Sequence, residues 1–587
     1  MPTTLARDAF FLIPHLVLAV SGLLVLLGDR ILARRTEANV RRRIVGILAF
    51  LGVGLAMAAA LVVSLVPLWV RADPASMAEW FSPGTFEYLS NPDPPIFGGL
   101  LAADTPAGYF NMMYVGLLGL VLALALATSR TEHPGRLCAL LLGSTVAMML
   151  ATAAEEFLTL FISLEMMTIC LYLAGRPGPP PPAPGRRAVL SLVPRFIPSL
   201  LFLIGIGLVG SQTSATYFES IRRLIDTSAP ADGKITIVAD PRFSGKAAPT
   251  AAIVLLLAGF GLKLPALAFA RRSSDPQAGG PPAAVTAWIA TGALFATVVA
   301  LLKVFLHALL PWTDARTSIL GPTWLYVASA VAAITMIAGN IGSLRRKNLT
   351  GLLMSATLVH AGYLLIGAAG ASAAVDIPEA AGAVLAYLLI LAFGNLGAFA
   401  VPAWLERDRG ITDIEGLDGL GRQDPILGIC IGVLVFSLIS LPLLGRFSAM
   451  LNAWQAALGG QNPARSPILG GLDYLANLSS VLLLLGYTRI LVPLYRRASR
   501  TPSLTTAGNA IALPIVLGLA LTLTFGVPLA RKLLEAMQAA AVPLLSSTVP
   551  RTGQKSQPPG AGPDRSVTPR RLPPNPSRRP NGARPGK

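Results

Sequence analysis

Charged side chains are scarce in this sequence of 587 residues: they make up 13% of it, while hydrophobic residues make up 53%. Soluble domains carry about a quarter charged residues, so a chain with so few charges cannot cover itself with a polar surface. This shortage excludes an ordinary soluble domain and predicts an integral membrane protein. The net charge of +18 does not indicate nucleic acid as a partner. The basic residues lie in short stretches between apolar runs and in the C-terminal tail, where such charge orients a membrane protein.

Cysteine is also rare, with Cys138, Cys170 and Cys430 as the three examples. Each lies inside or beside an apolar run, and the sequence has no CxxC motif or Cys/His spacing typical of a metal site. We interpret the three cysteines as small buried hydrophobic residues. The sequence therefore predicts no disulfide framework, zinc site or iron–sulfur site on this chain.

Apolar runs of about 20 residues are abundant, and this is the length of helix that crosses a hydrocarbon core of about 30 Å. Fourteen runs predict an all-α integral membrane protein with about fourteen transmembrane helices. The count depends on dividing the nearly continuous stretch 136–175 into two helices. The predicted helices cover residues 9–28, 44–70, 108–128, 136–154, 156–175, 188–210, 248–270, 283–310, 322–342, 349–370, 378–402, 424–448, 470–494 and 508–532.

Basic residues follow every odd-numbered predicted helix, as in the cluster 41–43 after the first and 345–347 after the ninth. An excess of arginine and lysine marks cytoplasmic loops, so both termini are predicted to lie on the non-cytoplasmic side. The acidic stretch after the second helix agrees with this orientation. Residues 548–587 are rich in proline, arginine and glycine and lack an apolar face, which predicts a disordered basic tail.

Two ionisable residues lie deep inside predicted helices: Glu165 near the middle of the fifth, and Lys263 in the seventh. A charge at mid-bilayer costs about 2.5–3.5 kcal/mol on insertion scales, so such residues mark functional sites by default. Pro265 follows Lys263 closely and removes a helix hydrogen bond. A lysine at a broken helix is typical of an ion-handling position.

If Glu165 and Lys263 pair, each stabilises the charged form of the other, and a proton that reaches or leaves one of them changes the other. That coupling is the physical basis of a proton relay. The alternative is a static buried ion pair that only orients helices. The sequence alone supports the two interpretations equally.

His360 and Pro442 extend the pattern. His360, in the tenth helix, is a further relay candidate because histidine changes charge near neutral pH, although a histidine on a helix face is more often a packing residue. Pro442 interrupts the twelfth predicted helix much as Pro265 interrupts the seventh. Two broken helices five apart predict two five-helix repeats, the second inverted relative to the first.

Several segments, in this order, resemble the antiporter-like, proton-translocating membrane subunits of respiratory complex I, most closely the subunit N family of NADH-quinone oxidoreductases. They are the glutamate segment 158–165, the lysine segment 259–265, the tenth-helix segment 346–363, and the segments 395–399 and 414–422 before the twelfth helix. The order and spacing of these segments carry the resemblance, which spans most of residues 100–530.

Together with the predicted helices, the resemblance implies an antiporter-like fold in five parts. It also implies a membrane subunit that carries part of the proton pathway coupled to electron transfer from NADH to quinone. NADH, FMN, iron–sulfur clusters and quinone would then bind to partner subunits. The chain would lie in a bacterial inner membrane, in contact with lipid and with other membrane subunits of a complex I-like assembly. The five parts are helices 1–3 (residues 1–128), a first repeat (129–310), a second repeat (322–494), a last helix (508–532) and the tail (548–587).

The chain departs from the family pattern where the family carries a lysine in the eighth and twelfth helices. Leu294 stands at the eighth-helix position, and Lys303 lies nine residues on, about 13 Å along a helix. Met450 stands at the twelfth-helix position, with Arg446 one turn earlier. Lys303 and Arg446 are candidate substitute cations, but an arginine does not release its proton in proteins.

Three interpretations of function remain open from the sequence. The chain is a pumping subunit that uses Glu165 and Lys263, or a non-pumping structural paralogue that keeps the fold, or a subunit of a cation/proton antiporter or membrane-bound hydrogenase, which share that fold. The two missing lysines favour the structural paralogue more than family membership alone would.

Overall fold

The computed structural model describes residues 2–33, 36–74, 95–102, 105–128, 133–175, 186–227, 247–263, 282–314, 318, 320–374, 376–443, 467–496 and 541. Nearly all of these residues are helical, and the long helices are labelled α1 to α13 in chain order. They cover Pro2–Leu32, Ala38–Ala72, Thr105–Thr128, Pro134–Ala153, Phe157–Ala174, Arg186–Thr213, Ala247–Lys263, Ala283–Ala308, Gly321–Arg345, Leu349–Ala371, Ile377–Arg409, Pro425–Leu443 and Pro467–Leu494.

These helices correspond one by one to the first thirteen predicted helices, and eleven of them are long and apolar enough to cross a membrane. The predicted all-α membrane architecture is confirmed. The stretch 136–175 divides into α4 and α5 because Ala154 and Glu156 adopt extended backbone conformations between them. The predicted helix 508–532 and the tail 548–587 lie outside the described residues, as do Pro265, Arg446 and Met450.

Helices α8, α10 and α11 form the centre of the bundle. Every residue in the most apolar stretch of α8 and of α10 is buried, whereas in the most apolar stretch of α6 22% of the residues are buried. The peripheral helices expose large apolar side chains such as Leu23, Leu51 and Ile334. Apolar surface of this extent is unfavourable in water, so a bilayer is the solvent that these helices require.

Two glycines bring α6 and α7 into close contact. A Cβ atom at Gly205 would lie 3.0 Å from the backbone nitrogen of Leu256, and one at Gly259 would lie 3.1 Å from the backbone of Phe202. Small residues permit such close approach between membrane helices. The contact places Ser199 of α6 beside Lys263, the last described residue of α7.

Helix α8 contains two π-helical segments, Ile289–Ala293 and Val304–Ala308, which the sequence did not predict. A π-helical turn displaces backbone carbonyls from their usual partners, and such turns often mark functional positions. The amide of Asn395 donates a 3.0 Å hydrogen bond to the carbonyl of Ala290, and the hydroxyl of Thr313 donates one of 2.5 Å to the carbonyl of Phe305. Neighbouring side chains therefore stabilise both irregular segments.

The junction of α4 and α5 is covered by two small elements that sequence analysis missed. Strands β1 (Pro95–Ile96) and β2 (Leu101–Ala102) form an antiparallel hairpin, and a short helix covers Phe218–Thr227. Isolated bridges pair Leu101 with Ala154 and Glu156 with Tyr217. These contacts fix the backbone where α5 begins.

Candidate functional site

Glu165 and Lys263 are in direct contact. The Lys263 ammonium donates a hydrogen bond to the Glu165 carboxylate and a second, of 3.3 Å, to the Ser199 hydroxyl. The Lys263 side chain is 4% exposed and that of Glu165 is 23% exposed. The two residues selected from the sequence thus form a charged cluster between α5, α6 and α7, and Ser199 completes it.

An aromatic layer lies one helical turn from this cluster. Phe161 precedes Glu165 by one turn on α5, and Phe260 precedes Lys263 by about one turn on α7. The Phe202 ring lies between them, 6.2 Å from the Phe161 ring and 4.8 Å from the Phe260 ring, measured between centroids. This layer separates the charged cluster from the end of the bundle at which α5 begins.

A second buried ion pair lies at that end. The Lys303 ammonium contacts the Glu155 carboxylate at 2.6 Å and donates a hydrogen bond of 3.2 Å to the carbonyl of Thr152. The Lys303 side chain is 1% exposed, and that of Glu155 is 25% exposed. Lys303, predicted as a substitute cation, therefore has a carboxylate partner at a different depth from Glu165.

The backbone around Glu155 is held from two sides. Its N–H donates to the carbonyl of Leu100 at 3.0 Å, and its carbonyl accepts a hydrogen bond of 3.0 Å from the N–H of Phe218. Glu156 caps α5, because its carboxylate accepts a 2.7 Å hydrogen bond from the backbone N–H of Thr159. The hairpin, the short helix and this cap together fix the position of the Glu155 carboxylate.

His360 belongs to a separate polar group in the centre of the bundle. Its Nδ1 lies 2.8 Å from the Tyr387 hydroxyl, and its ring is completely buried. The other ring nitrogen has no hydrogen-bond partner among the described residues. Tyr363, one turn along α10, donates to the carbonyl of Ala476 at 2.9 Å. His360 makes no hydrogen bond or ion pair with Lys263 or Lys303 in the described part of the chain.

The remaining predicted positions are apolar or lie at helix ends. Leu294 is 1% exposed at the start of the regular segment between the two π-helical segments of α8. Pro442 is the penultimate residue of α12, and the residues after Leu443 lie outside the described part of the chain, so the predicted helix break at Pro442 stays a prediction. In the part of the chain that the structure describes, no group of three or more metal-ligating side chains comes together.

Two functional candidates escaped the sequence analysis. Glu155 lies between two apolar runs beside Glu156, and two adjacent acidic residues at such a junction are a usable signal. Ser199 has no signal of its own, because a serine in an apolar helix commonly bonds to its own backbone. Both were identified by what they contact, not by their place in the sequence.

The fold and the two ion pairs define a multi-pass membrane protein that keeps lysine–glutamate pairs inside a helical bundle. The chain belongs to the NADH:quinone oxidoreductase/Mrp antiporter transmembrane family, whose model matches residues 154–462, more than half of the chain. The family resemblance seen in the sequence is confirmed.

Relatives named NADH-quinone oxidoreductase subunit N cover most of the sequence. The protein of that name from Desulfitobacterium hafniense is 28% identical over 384 residues, which are 62% of this chain and 73% of the relative. Subunit N 2 from Acidobacterium capsulatum is also 28% identical, over 82% of this chain and 89% of the relative.

Solved membrane complexes contain chains of the same fold. A chain of respiratory complex I from Thermus thermophilus aligns with a TM-score of 0.56 and 19% identity, covering 91% of this chain and 98% of the other. A chain of the Mrp complex from Dietzia sp. aligns with a TM-score of 0.62 and 18% identity, covering 92% and 98%. At this identity the alignments establish the antiporter-like fold alone.

Proposed function

We propose that this chain is the subunit N-like membrane component of a proton-pumping NADH:quinone oxidoreductase and carries part of its proton pathway. The observation that supports this proposal most directly is the contact of Lys263 with Glu165 and Ser199 inside a membrane-spanning bundle. Family membership and the names of the relatives support the choice of complex. NADH, FMN, iron–sulfur clusters and quinone then belong to partner subunits, and this chain contributes ionisable groups.

The proposed relay uses the mutual dependence of the two charges. A proton that reaches Glu165 neutralises its carboxylate and leaves the Lys263 ammonium as an unpaired cation in a poorly solvated site. An unpaired buried charge is strongly unfavourable, so Lys263 is driven to pass its proton on. Reprotonation of Lys263 and deprotonation of Glu165 restore the pair, and no net charge accumulates over the cycle.

Lys303 and Glu155 form a second proposed site of proton transfer. We call the Lys263–Glu165 pair the first station and the Lys303–Glu155 pair the second station. The partly exposed Glu155 carboxylate connects the fully buried Lys303 to the surface at the start of α5. The layer of Phe161, Phe202 and Phe260 lies between the two stations and keeps water from joining them. Such a dry layer prevents free proton leakage while the complex rests. With both termini on the non-cytoplasmic side, Glu155 faces that side.

The test is Lys263→Ala in the assembled complex, reconstituted in vesicles. We expect assembly and NADH oxidation to persist while the number of protons translocated per electron falls. The matched control is Arg223→Ala, which removes a cation from the exposed ion pair with Glu219 and should leave the ratio unchanged. An unchanged proton-to-electron ratio in Lys263→Ala would refute the relay.

An unchanged proton-to-electron ratio in Lys263→Ala would favour the second candidate function, a non-pumping subunit that joins partners in the membrane. The buried Leu294 supports this alternative, because an apolar side chain occupies the position at which the family carries a lysine. The assembled complex would then lose stability, but not pumping stoichiometry, when the Lys263 pair is removed. A cation/proton antiporter would instead show exchange activity without NADH.

A further inference from the structure

A cavity of about 180 Å³ lies between α1, α2 and α3, away from both ion pairs. The β1–β2 hairpin and Ala153 at the end of α4 close its inner wall. Most of its lining side chains are apolar, which is typical of small-molecule sites. The relay proposed above does not use it.

Three polar side chains line this cavity without a hydrogen-bond partner among the described residues: His15, Ser64 and Asn111. His15 and Asn111 are each 6% exposed. Both nitrogens of His15, the Ser64 hydroxyl and the Asn111 side-chain carbonyl are buried, and none of these four atoms has a partner in the described part of the chain. An unpaired buried polar atom costs about 1–3 kcal/mol, so four of them in one cavity indicate a ligand that supplies both hydrogen-bond acceptors and donors.

The mouth of the cavity faces the bilayer. Leu61, Leu65 and Tyr109 line it and are 41%, 43% and 37% exposed, and all three lie in membrane-spanning stretches. This opening favours molecules that enter from the membrane. Among the described residues, the lining includes no lysine, arginine, aspartate or glutamate, which favours a neutral hydrogen-bonding group over a phosphate at the inner end.

The depth of the polar atoms in the membrane further limits the kinds of ligand that fit. Ser64 lies three residues before the end of its membrane span, Asn111 four residues after the start of its span, and His15 seven residues after the start of its span. Along a helix these separations place the three residues about 5–10 Å inside the span ends. The acyl-ester carbonyls of a glycerophospholipid and its first acyl carbons lie at this depth. Serine and histidine donate to ester carbonyls, and Asn111 can accept from an ethanolamine or glycerol headgroup.

We propose that the cavity between α1, α2 and α3 holds the glycerol-ester region of one glycerophospholipid. Its ester carbonyls accept from His15 and Ser64, a headgroup donor reaches the Asn111 carbonyl, and an acyl chain leaves through the opening at Leu61 and Leu65. This lipid would fill the space between the three N-terminal helices and their neighbours. The proposal does not depend on whether the chain pumps protons.

The first test is photo-crosslinking in the assembled complex, reconstituted with a phosphatidylethanolamine that carries a diazirine on its acyl chain, next to the ester carbonyl. Leu101 and Ala153 are 6% and 5% exposed, so surrounding bilayer lipid does not reach them. We expect crosslinks to these two residues in the native chain and at least a fivefold loss in Ser64→Leu, which fills the cavity. Ser211→Leu, at an exposed serine of α6, should leave the crosslinks unchanged.

His15→Leu gives a second variant that removes a polar contact, and it should also weaken crosslinking. Absence of crosslinks to the inner wall in the native chain, or equal crosslinking in Ser64→Leu and Ser211→Leu, would overturn the proposal.

The second test is thiol labelling of Ser64→Cys in a chain whose three native cysteines are replaced. N-ethylmaleimide should label it at least tenfold faster than a charged, membrane-impermeant thiosulfonate. Fast labelling by the charged reagent would mean a water-filled cavity and would also overturn the proposal.

Discussion

At the scale of single residues, the two buried lysines differ in their surroundings. Lys263 has a carboxylate and a hydroxyl as partners, and both partners come from transmembrane helices. Lys303 has a carboxylate from a helix junction and a backbone carbonyl. The first arrangement suits transfer within the bundle, and the second suits transfer between the bundle and its surface.

Glu155→Gln tests how strongly the Lys303 pair contributes to stability. Removing one partner of a buried ion pair leaves the other charge uncompensated, which costs about 3 kcal/mol. We expect a lower unfolding temperature of the purified complex. The double variant Glu155→Gln/Lys303→Met should recover most of the loss, because no charge is left unpaired. Additive losses in the double variant would show that the pair is not coupled.

Asn395→Leu tests the support of the first π-helical segment. Without the amide, the carbonyl of Ala290 loses its donor inside the bundle, and we expect a destabilisation of about 1–3 kcal/mol. Hydrogen–deuterium exchange of residues 289–293 should become faster. Thr357→Val is the control. It removes the hydroxyl 3.4 Å from the Asn395 side-chain oxygen but keeps the hydrogen bond from the Asn395 side-chain amide to the carbonyl of Ala290. It should change the exchange of residues 289–293 much less.

At the scale of elements, the site depends on how closely α6 and α7 approach. Ser199 reaches Lys263 because glycines on both helices let the backbones pack directly. The same contact brings Phe202 against Phe260 and thereby forms part of the aromatic layer. One helix–helix contact therefore positions both the charged cluster and the layer that separates it from the Lys303 pair.

A matched pair of glycine variants on α6 tests this contact. Gly205→Val places its side chain against the backbone of Leu256 and should destabilise the complex by about 1–3 kcal/mol through overpacking. It should also weaken proton pumping, since Ser199 would move away from Lys263. At Gly207, two residues on, an added Cβ atom has no atom of the described residues within 4 Å, so Gly207→Val is the control. Its unfolding temperature and pumping should stay close to those of the native chain, and equal effects of the two variants would contradict this account.

At the scale of the whole molecule, the orientation in the membrane decides the direction in which protons leave. Basic loops predict that the α1–α2 loop is cytoplasmic and that the short helix Phe218–Thr227 is not. Both carry exposed positions that can be replaced by cysteine.

A membrane-impermeant thiol reagent applied to intact cells should label Asp226→Cys and leave Glu37→Cys unlabelled. Both side chains are exposed, so the difference would report sidedness and not burial. After the cells are permeabilised, Glu37→Cys should become labelled. Labelling of Glu37→Cys alone in intact cells would invert the predicted orientation and place the Glu155 station on the cytoplasmic side.

The sequence by itself determined the architecture of this protein. Runs of about 20 apolar residues can satisfy their backbone polar groups in lipid only as helices, so thirteen described helices followed from length and hydropathy. The cost of a charge at membrane depth also selected Glu165 and Lys263. The predicted repeat boundaries stay a prediction, and the role of Pro265 rests on residues outside the described part of the chain.

The tertiary structure decided the partners of these charges. Nothing in the spacing joins Lys303 to Glu155, because the two lie 148 residues apart and meet only when α8 packs beside the junction of α4 and α5. The same holds for Ser199, for the π-helical segments, and for His360 lying with Tyr387 apart from the lysines. Hydropathy indicates which segments lie at membrane depth, but which buried polar groups meet depends on helix packing, and helix packing is set by contacts between residues far apart in the chain.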